Sequence, residues 1–219
     1  MMPAKQNNLL GPKAALQLLA LITVGFITAY ALRERAPVGE NVGGKATVQA
    51  VRMDQSSPSL QVVDADVTII AFSDYGCPAC RTAYPAMKQA ILEDGHTRVV
   101  YKDWPIFGPA SERAAKVAIA SSFQGIYPAV HDALMRARSL DADEFRAAVE
   151  KSGGSWHQLQ VDLVRRNEAI EAQLDRNRQQ AFKLGLSGTP GFLIGPILVR
   201  GAVSEQEFKR AIAEARQAS

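Results

Sequence analysis

Only two cysteines occur in the 219 residues, too few for a scaffold stapled by several disulfides. Histidine is scarce as well. His96, His131 and His157 are scattered along the chain and give no recognisable second half to a four-ligand zinc site, so no metal is expected. Neither sign of charge is in large excess: the net charge is +3. No Lys/Arg stripe interleaved with aromatic residues occurs, which argues against nucleic acid as a partner. No internal repeat is present, and no motif implies a flavin, a nucleotide or any other cofactor. Apolar residues make up 47% and charged residues 21%, enough for one domain with a real core and extensions, or two small domains.

The compartment is read from the amino terminus. Residues Ala14 to Leu32 carry no charge, with Lys5 and Lys13 before them and Arg33, Glu34 and Arg35 after. At about 1.5 Å of rise per residue such a stretch can just cross a bilayer core of roughly 30 Å. Apolar side chains on all faces and a basic leader argue against a buried core helix. The reading is a short leader over 1–13, a transmembrane anchor or signal peptide over 14–32, and a tether over 33–58. Ala29-Tyr30-Ala31 fits a signal-peptidase site, so cleavage after Ala31 is one outcome. An uncleaved anchor with its N-terminus inside is favoured, because the apolar run is long and its leader basic. No cysteine lies near this segment, which excludes a lipoprotein anchor. Either way the remainder is expected outside the cytoplasm, where a cysteine pair can hold or exchange a disulfide. The tether is polar and spotted with Gly, Ser and Pro, with one short strand expected near Ala46–Val51.

The two cysteines sit three apart, as Cys77-Pro78-Ala79-Cys80. Val67 to Phe72 is β-branched and aromatic and predicts a buried strand. After the pair, Ala83, Tyr84, Met87, Ala90 and Ile91 recur at helical spacing. The pair therefore lies where a strand hands over to a helix N-terminus. Pro78 suits the first helical turn, and Pro85 falls inside the helix, where it should kink it. Unpaired backbone N–H groups and the helix dipole favour a thiolate at such a place, and the thiolate is the species that attacks disulfides. Cys77, nearer the helix start and expected to be exposed, is the candidate nucleophile. Cys80, one turn on and more buried, is the candidate resolving thiol. A disulfide kept only as a staple is the blander reading, but so short a loop gains only about 2 kcal/mol.

Arg98 to Lys102 predicts a second strand ending at Trp104-Pro105. Helices follow from near Ser111, then around 127–139, 142–152 and 156–185. Ser187-Gly188-Thr189-Pro190 leads into a hairpin, Phe192–Ile194 and Ile197–Arg200, turned by Gly195-Pro196. Ser204 and Glu207 form a capping box that opens a final amphipathic helix. His96 is placed in a turn, His131 and His157 as ordinary helix residues, and Trp104 and Trp156 in the core or at its rim.

The motif Phe72-Ser73-Asp74-Tyr75-Gly76-Cys77-Pro78-Ala79-Cys80, Pro85 eight positions after the first cysteine, and Gly188-Thr189-Pro190 before the hairpin resemble the DsbA-like branch of the thioredoxin superfamily. The resemblance covers about residues 59–216. It implies an α/β thioredoxin fold over 59–219 with a helical insert at about 105–187. It also implies a cis peptide bond before Pro190, facing the cysteines, and a substrate-binding role for Thr189 and Pro190 in holding an extended segment. The chain departs from the branch at two positions. The buried carboxylate often found six residues before the first cysteine is Ala71 here, and Asp74, closer by, is expected to cap a turn or lie on the surface. The dipeptide Pro78-Ala79 lacks the histidine of strongly oxidising relatives, so a less oxidising disulfide is expected.

The activity implied is dithiol–disulfide exchange with exported, cysteine-containing proteins, sustained by a redox partner in the membrane. An oxidase is favoured over a reductase or isomerase. Isomerases of this superfamily usually dimerise through a separate N-terminal module, for which the tether looks too short. The rival from another class is a non-catalytic anchored module that binds peptides beside Thr189 and Pro190.

Overall fold

A computed structural model describes residues 11–35 and 37–218, without the side chains of Pro12 and of residues 29–35. Most of the leader and the Ala29-Tyr30-Ala31 side chains lie outside the described residues. The chain divides into two units, 1–37 and 38–219. The first carries α1 (Pro12–Arg35). Along it Leu16, Leu19, Leu21, Phe26 and Ile27 are all exposed. Among the described residues no helix is long and apolar enough to cross a membrane.

The second unit runs β1 (Glu40–Asn41), α2 (Ala46–Met53), β2 (Ser59–Leu60), β3 (Val67–Ser73), α3 (Pro78–Asp94) and β4 (Thr97–Asp103). Five helices follow: α4 (Pro109–Ser121), α5 (Tyr127–Arg136), α6 (Ala142–Lys151), α7 (Trp156–Arg165) and α8 (Asn167–Lys183). The hairpin β5 (Gly191–Ile194) and β6 (Ile197–Arg200) and the helix α9 (Glu205–Gln217) complete it. The strands form one sheet in the order β1-β6-β5-β3-β4-β2. Among the described residues only β3 and β4 pair in parallel, in register Ile69 to Val99 and Ser73 to Asp103, with α3 as their crossover. The fold is α/β, and α4 to α8 occupy the place expected for the helical insert.

The central strand shows why its sequence is apolar throughout. Val67, Ile69 and Ala71 pack into one core with α3 and α9, while Ile70 and Phe72 face a second core on the other side of the sheet. A strand covered on both faces has no polar side to display. The second core corrects the expected tether. Val42, Val48 and Val51 are buried in it against Leu184 and Leu186, and the compact unit begins at Val38. The strand expected near Ala46–Val51 is the helix α2, because Val48 and Val51, three apart, bring both apolar side chains onto one helical face.

Just past α2, Asp54 accepts hydrogen bonds from Lys102 Nζ on β4 and Gln180 Nε2 on α8, both at 2.7 Å. Lys102 is fully buried, and burial lowers its proton affinity while Asp54 raises it. Burial would lift Asp54, but the bonds from Lys102, Ser56 and Gln180 hold its carboxyl well below the usual range.

The continuous helix expected over 156–185 is broken at Arg166 (φ −112°, ψ 18°). Gly185 (φ +78°) ends α8's turn as expected of glycine. The capping box is present: Ser204 Oγ accepts from Glu207 N at 3.3 Å, and Glu207 Oε2 accepts from Ser204 N at 2.8 Å.

Candidate active site

Cys77 is the N-cap of α3, with extended backbone (φ −81°, ψ 117°) and Pro78 in the first turn. The turn that delivers it is built on Asp74. One carboxylate oxygen accepts from Gly76 N at 2.7 Å; the other accepts from Ile106 N at 2.6 Å and Phe107 N at 2.8 Å. Asp74 caps the turn as expected, but it is buried rather than on the surface. Its bonds tie the chain before Cys77 to the loop after β4. Gly76 leaves room there: a Cβ would meet Ser111 Oγ at 2.3 Å and Phe107 Cβ at 3.2 Å, so a larger residue forces these neighbours to shift.

The Cys77 sulfur lies between two backbone groups. Cys80 N–H donates to it at 3.3 Å, and Thr189 O lies 3.4 Å away as acceptor for the thiol. The Thr189–Pro190 peptide bond is cis, so the turn into β5 meets the start of α3 across the sulfur. Both cysteines are free and buried, which corrects the expected exposure of Cys77. Its sulfur is overlaid by Thr189, while Pro78 and Ala79 stand exposed. Ile106 and Phe107, also exposed, add an apolar rim. Burial pushes the Cys80 thiol to a proton affinity well above that of free cysteine, against the opposing pull of the Thr189 hydroxyl and the Asp74 backbone.

Behind Cys80 lies a small cavity of about 10 Å³, bordered by Ala71, Ser73, His131, Pro190 and others. His131 is no ordinary helix residue: it is buried, with Tyr75, Tyr84, Tyr101 and Tyr127 all packed around its ring. Tyr75 OH is 2.7 Å and Tyr127 OH 3.4 Å from His131 Nδ1. Tyr127 OH donates at 2.9 Å to Asp103, also buried. Burial raises the Asp103 carboxyl to about 7, overriding Tyr127 and Tyr75. Burial lowers His131 to about 3, with a smaller contribution from Lys88. Sequence reasoning missed Asp103; its position opposite Ser73 on the parallel neighbour is the signal that leads to it. Trp104 is buried as expected, edge-on to Phe182 at 5.5 Å. His96 and His157 are exposed. Among the described residues no group of three or more His, Cys, Asp or Glu could hold a metal ion.

Known proteins are similar to this chain in sequence and fold. Residues 62–214 match the family model described as Thioredoxin. A thioredoxin-like oxidoreductase from Silicibacter pomeroyi DSS-3 is 34% identical, with a TM-score of 0.70 over 76% of this chain and 95% of its own. A periplasmic thioredoxin-like protein from Salmonella enterica serovar Typhimurium is 26% identical, with a TM-score of 0.70 over 80% and 98% of the two chains. The probable disulfide bond formation protein D of Bacillus anthracis is 23% identical over 94% of this chain and 95% of its own. The Na(+)/H(+) antiporter NhaA 3 of Salinispora tropica is 26% identical over 69% of this chain, but the chain spans only 24% of that protein. The matched family model, with the cysteine pair at the head of α3 and the cis-proline turn against it, establishes that the chain belongs to the thioredoxin family and is a thiol–disulfide oxidoreductase.

Proposed function

We propose that this protein introduces disulfides into exported proteins, with Cys77 as the attacked and attacking sulfur and Cys80 as its partner. The carrying observation is the asymmetry of the pair: Cys77 lies at the helix N-cap between Cys80 N–H and Thr189 O, whereas Cys80 is set behind it with raised proton affinity. In the oxidising direction a substrate thiolate attacks Cys77 Sγ of the disulfide. The sulfur–sulfur bond breaks, and Cys80 leaves with the electron pair and takes up a proton. A second substrate thiolate then attacks the substrate sulfur of the mixed disulfide and releases Cys77. Thr189, two residues after the exposed Ser187, offers backbone groups to an extended substrate segment by strand addition. Pro190 holds that turn against the cysteines, and Pro78-Ala79 tunes the pair. Cycling requires re-oxidation by a quinone-linked partner in the membrane.

The setting is extracytoplasmic, with residues 14–32 as an inner-membrane anchor. Two observations support it: the uncharged run from Ala14 to Leu32, and the exposed leucine, isoleucine and phenylalanine side chains of α1. The relative from Salmonella is described as periplasmic. A second reading, reduction or isomerisation by the same pair, is favoured by one feature: Ala79 offers no charge or hydrogen bond to stabilise a thiolate.

A Cys80→Ala variant expressed in cells is expected to accumulate mixed disulfides with exported proteins through Cys77. The redox state of the wild-type pair in the same cells gives the direction, oxidised for an oxidase and reduced for a reductase. Full function in a Cys77→Ser variant would overturn the catalytic reading in favour of a peptide-binding module.

A further inference from the structure

A buried thiol that alternates between disulfide and thiol must lose or gain a proton at each turnover, and the proton needs somewhere to go. Cys80 is only 2% exposed. The cavity behind it is about 10 Å³, room for roughly one water, and Ala71 gives it only a methyl group. Ser73, His131 and Tyr84 are the other polar side chains in its wall, and the Tyr84 hydroxyl is engaged by Asp132 at 3.0 Å. The Ser73 hydroxyl has no hydrogen-bond partner among the described residues, and neither has Asp103 Oδ1, on the residue paired with Ser73 across the sheet.

We propose that His131, Tyr75, Tyr127 and Asp103 form a buried relay that takes the proton of Cys80 when it attacks and returns it when it leaves. With Nδ1 engaged by the tyrosine hydroxyls, Nε2 is the ring atom left to exchange a proton across the cavity. Nδ1 then passes a proton to a tyrosine oxygen, whose own proton moves to Asp103. For each attack, Cys80 loses a proton and Asp103 gains one. The Cys80 electron pair forms the bond to Cys77 Sγ, and the bond from Cys77 to the outside sulfur breaks with its pair on the leaving thiolate. No external oxidant or reductant enters this step. The groups facing His131 are Tyr84 and Cys80 from α3, Tyr101 from β4, Tyr127 from α5 and Tyr75 from the turn before α3, with Lys88 acting at longer range. Those facing Asp103 are Tyr127, Tyr75 and Asp74. Asp103 and His131 are positioning residues here: they act through the proton, not on the substrate.

The inference rests on Cys80 being the resolving thiol, and the test separates the two. The full-length protein is reacted with Ellman's reagent at about pH 4, where Cys80 stays protonated, to load Cys77 with thionitrobenzoate. A jump to pH values from about 5 to about 9 then times thionitrobenzoate release by its absorbance. Wild-type release should rise with pH and level off past an inflection near the Asp103 value of about 7. In Asp103→Asn the inflection should vanish and release at neutral pH slow by roughly 100-fold, the scale of general acid–base catalysis. Tyr127→Phe removes the hydroxyl that joins His131 to Asp103, so its release should likewise slow at neutral pH and lose the inflection. This second variant decides the matter if Asp103→Asn does not fold. Profiles superimposable on wild type would overturn the relay alone. Absence of release from the wild type at every pH would overturn the resolving role of Cys80, and the proposed function with it.

Discussion

Replacing Asp103 by Asn should change how stability depends on pH, in a direction and over a window that the buried cluster fixes. Asp103 is 1% exposed, and its carboxyl is raised from 3.8 to about 7, chiefly by burial. At 1.36 kcal/mol per pH unit, that is about 4 kcal/mol of preference for the protonated form. A carboxyl raised in the folded state contributes stability that is complete below its unfolded value and is lost as pH rises through its folded value. His131 works the other way. It is lowered from 6.5 to about 3, so its contribution is complete above pH 6.5 and is lost as pH falls toward 3, on the order of 5 kcal/mol. Between pH 4 and 6.5 the two slopes oppose each other in the wild type. Urea unfolding of the reduced protein at a series of pH values, wild type against Asp103→Asn, removes every contribution the two share. The stability of wild type minus variant should fall by about 4 kcal/mol from about pH 4 to about pH 8. His131→Gln should show the opposite trend, the difference growing as pH rises from about 4 to about 6.5. The variant's Asn leaves a constant offset, which does not affect the slope. A difference curve for Asp103→Asn that is flat, or that rises with pH, would refute the reasoning.

Three further outcomes follow from the site and its support. Gly76→Ala should cost about 1–3 kcal/mol of stability by overpacking, since its Cβ would meet Ser111 Oγ at 2.3 Å; adding Ser111→Ala should recover much of the loss in the same unfolding assay. Lys102→Met should destabilise by about 3–5 kcal/mol, because it leaves Asp54 without its buried cation; a loss under 1 kcal/mol would contradict the clamp between α2 and β4. Ala79→His should make the disulfide more oxidising, because an imidazolium beside the helix N-terminus stabilises the reduced pair; an unchanged glutathione titration would contradict this.

Features that depend on close neighbours along the chain are legible in the sequence alone. The apolar run of β3, the cysteine spacing with Pro78, the hairpin around Gly195 and the Ser204–Glu207 capping box are local patterns, and each stands where it is expected. The cis bond at Pro190 is legible through family resemblance. What escapes depends on distant partners. The segment Ala46–Val51 satisfies strand and helix patterns equally, and only packing against Leu184 and Leu186 decides for a helix. The break at Arg166 carries no glycine or proline to announce it. The relay draws on residues 75, 103, 127 and 131, spread over a loop, a strand and a helix, so no window of sequence contains it. Cys77 is expected to be open because helix N-termini usually are, and the covering Thr189 comes from 112 residues away.

The central claim is that the first bond to an outside sulfur forms at Cys77 and never at Cys80. Oxidised glutathione, incubated with Cys80→Ser and with Cys77→Ser in parallel and followed by intact-mass and peptide mass spectrometry, tests it most directly. A glutathione adduct on Cys77 of the first variant and none on the second is the predicted result. An adduct on Cys80 at a comparable rate would contradict it.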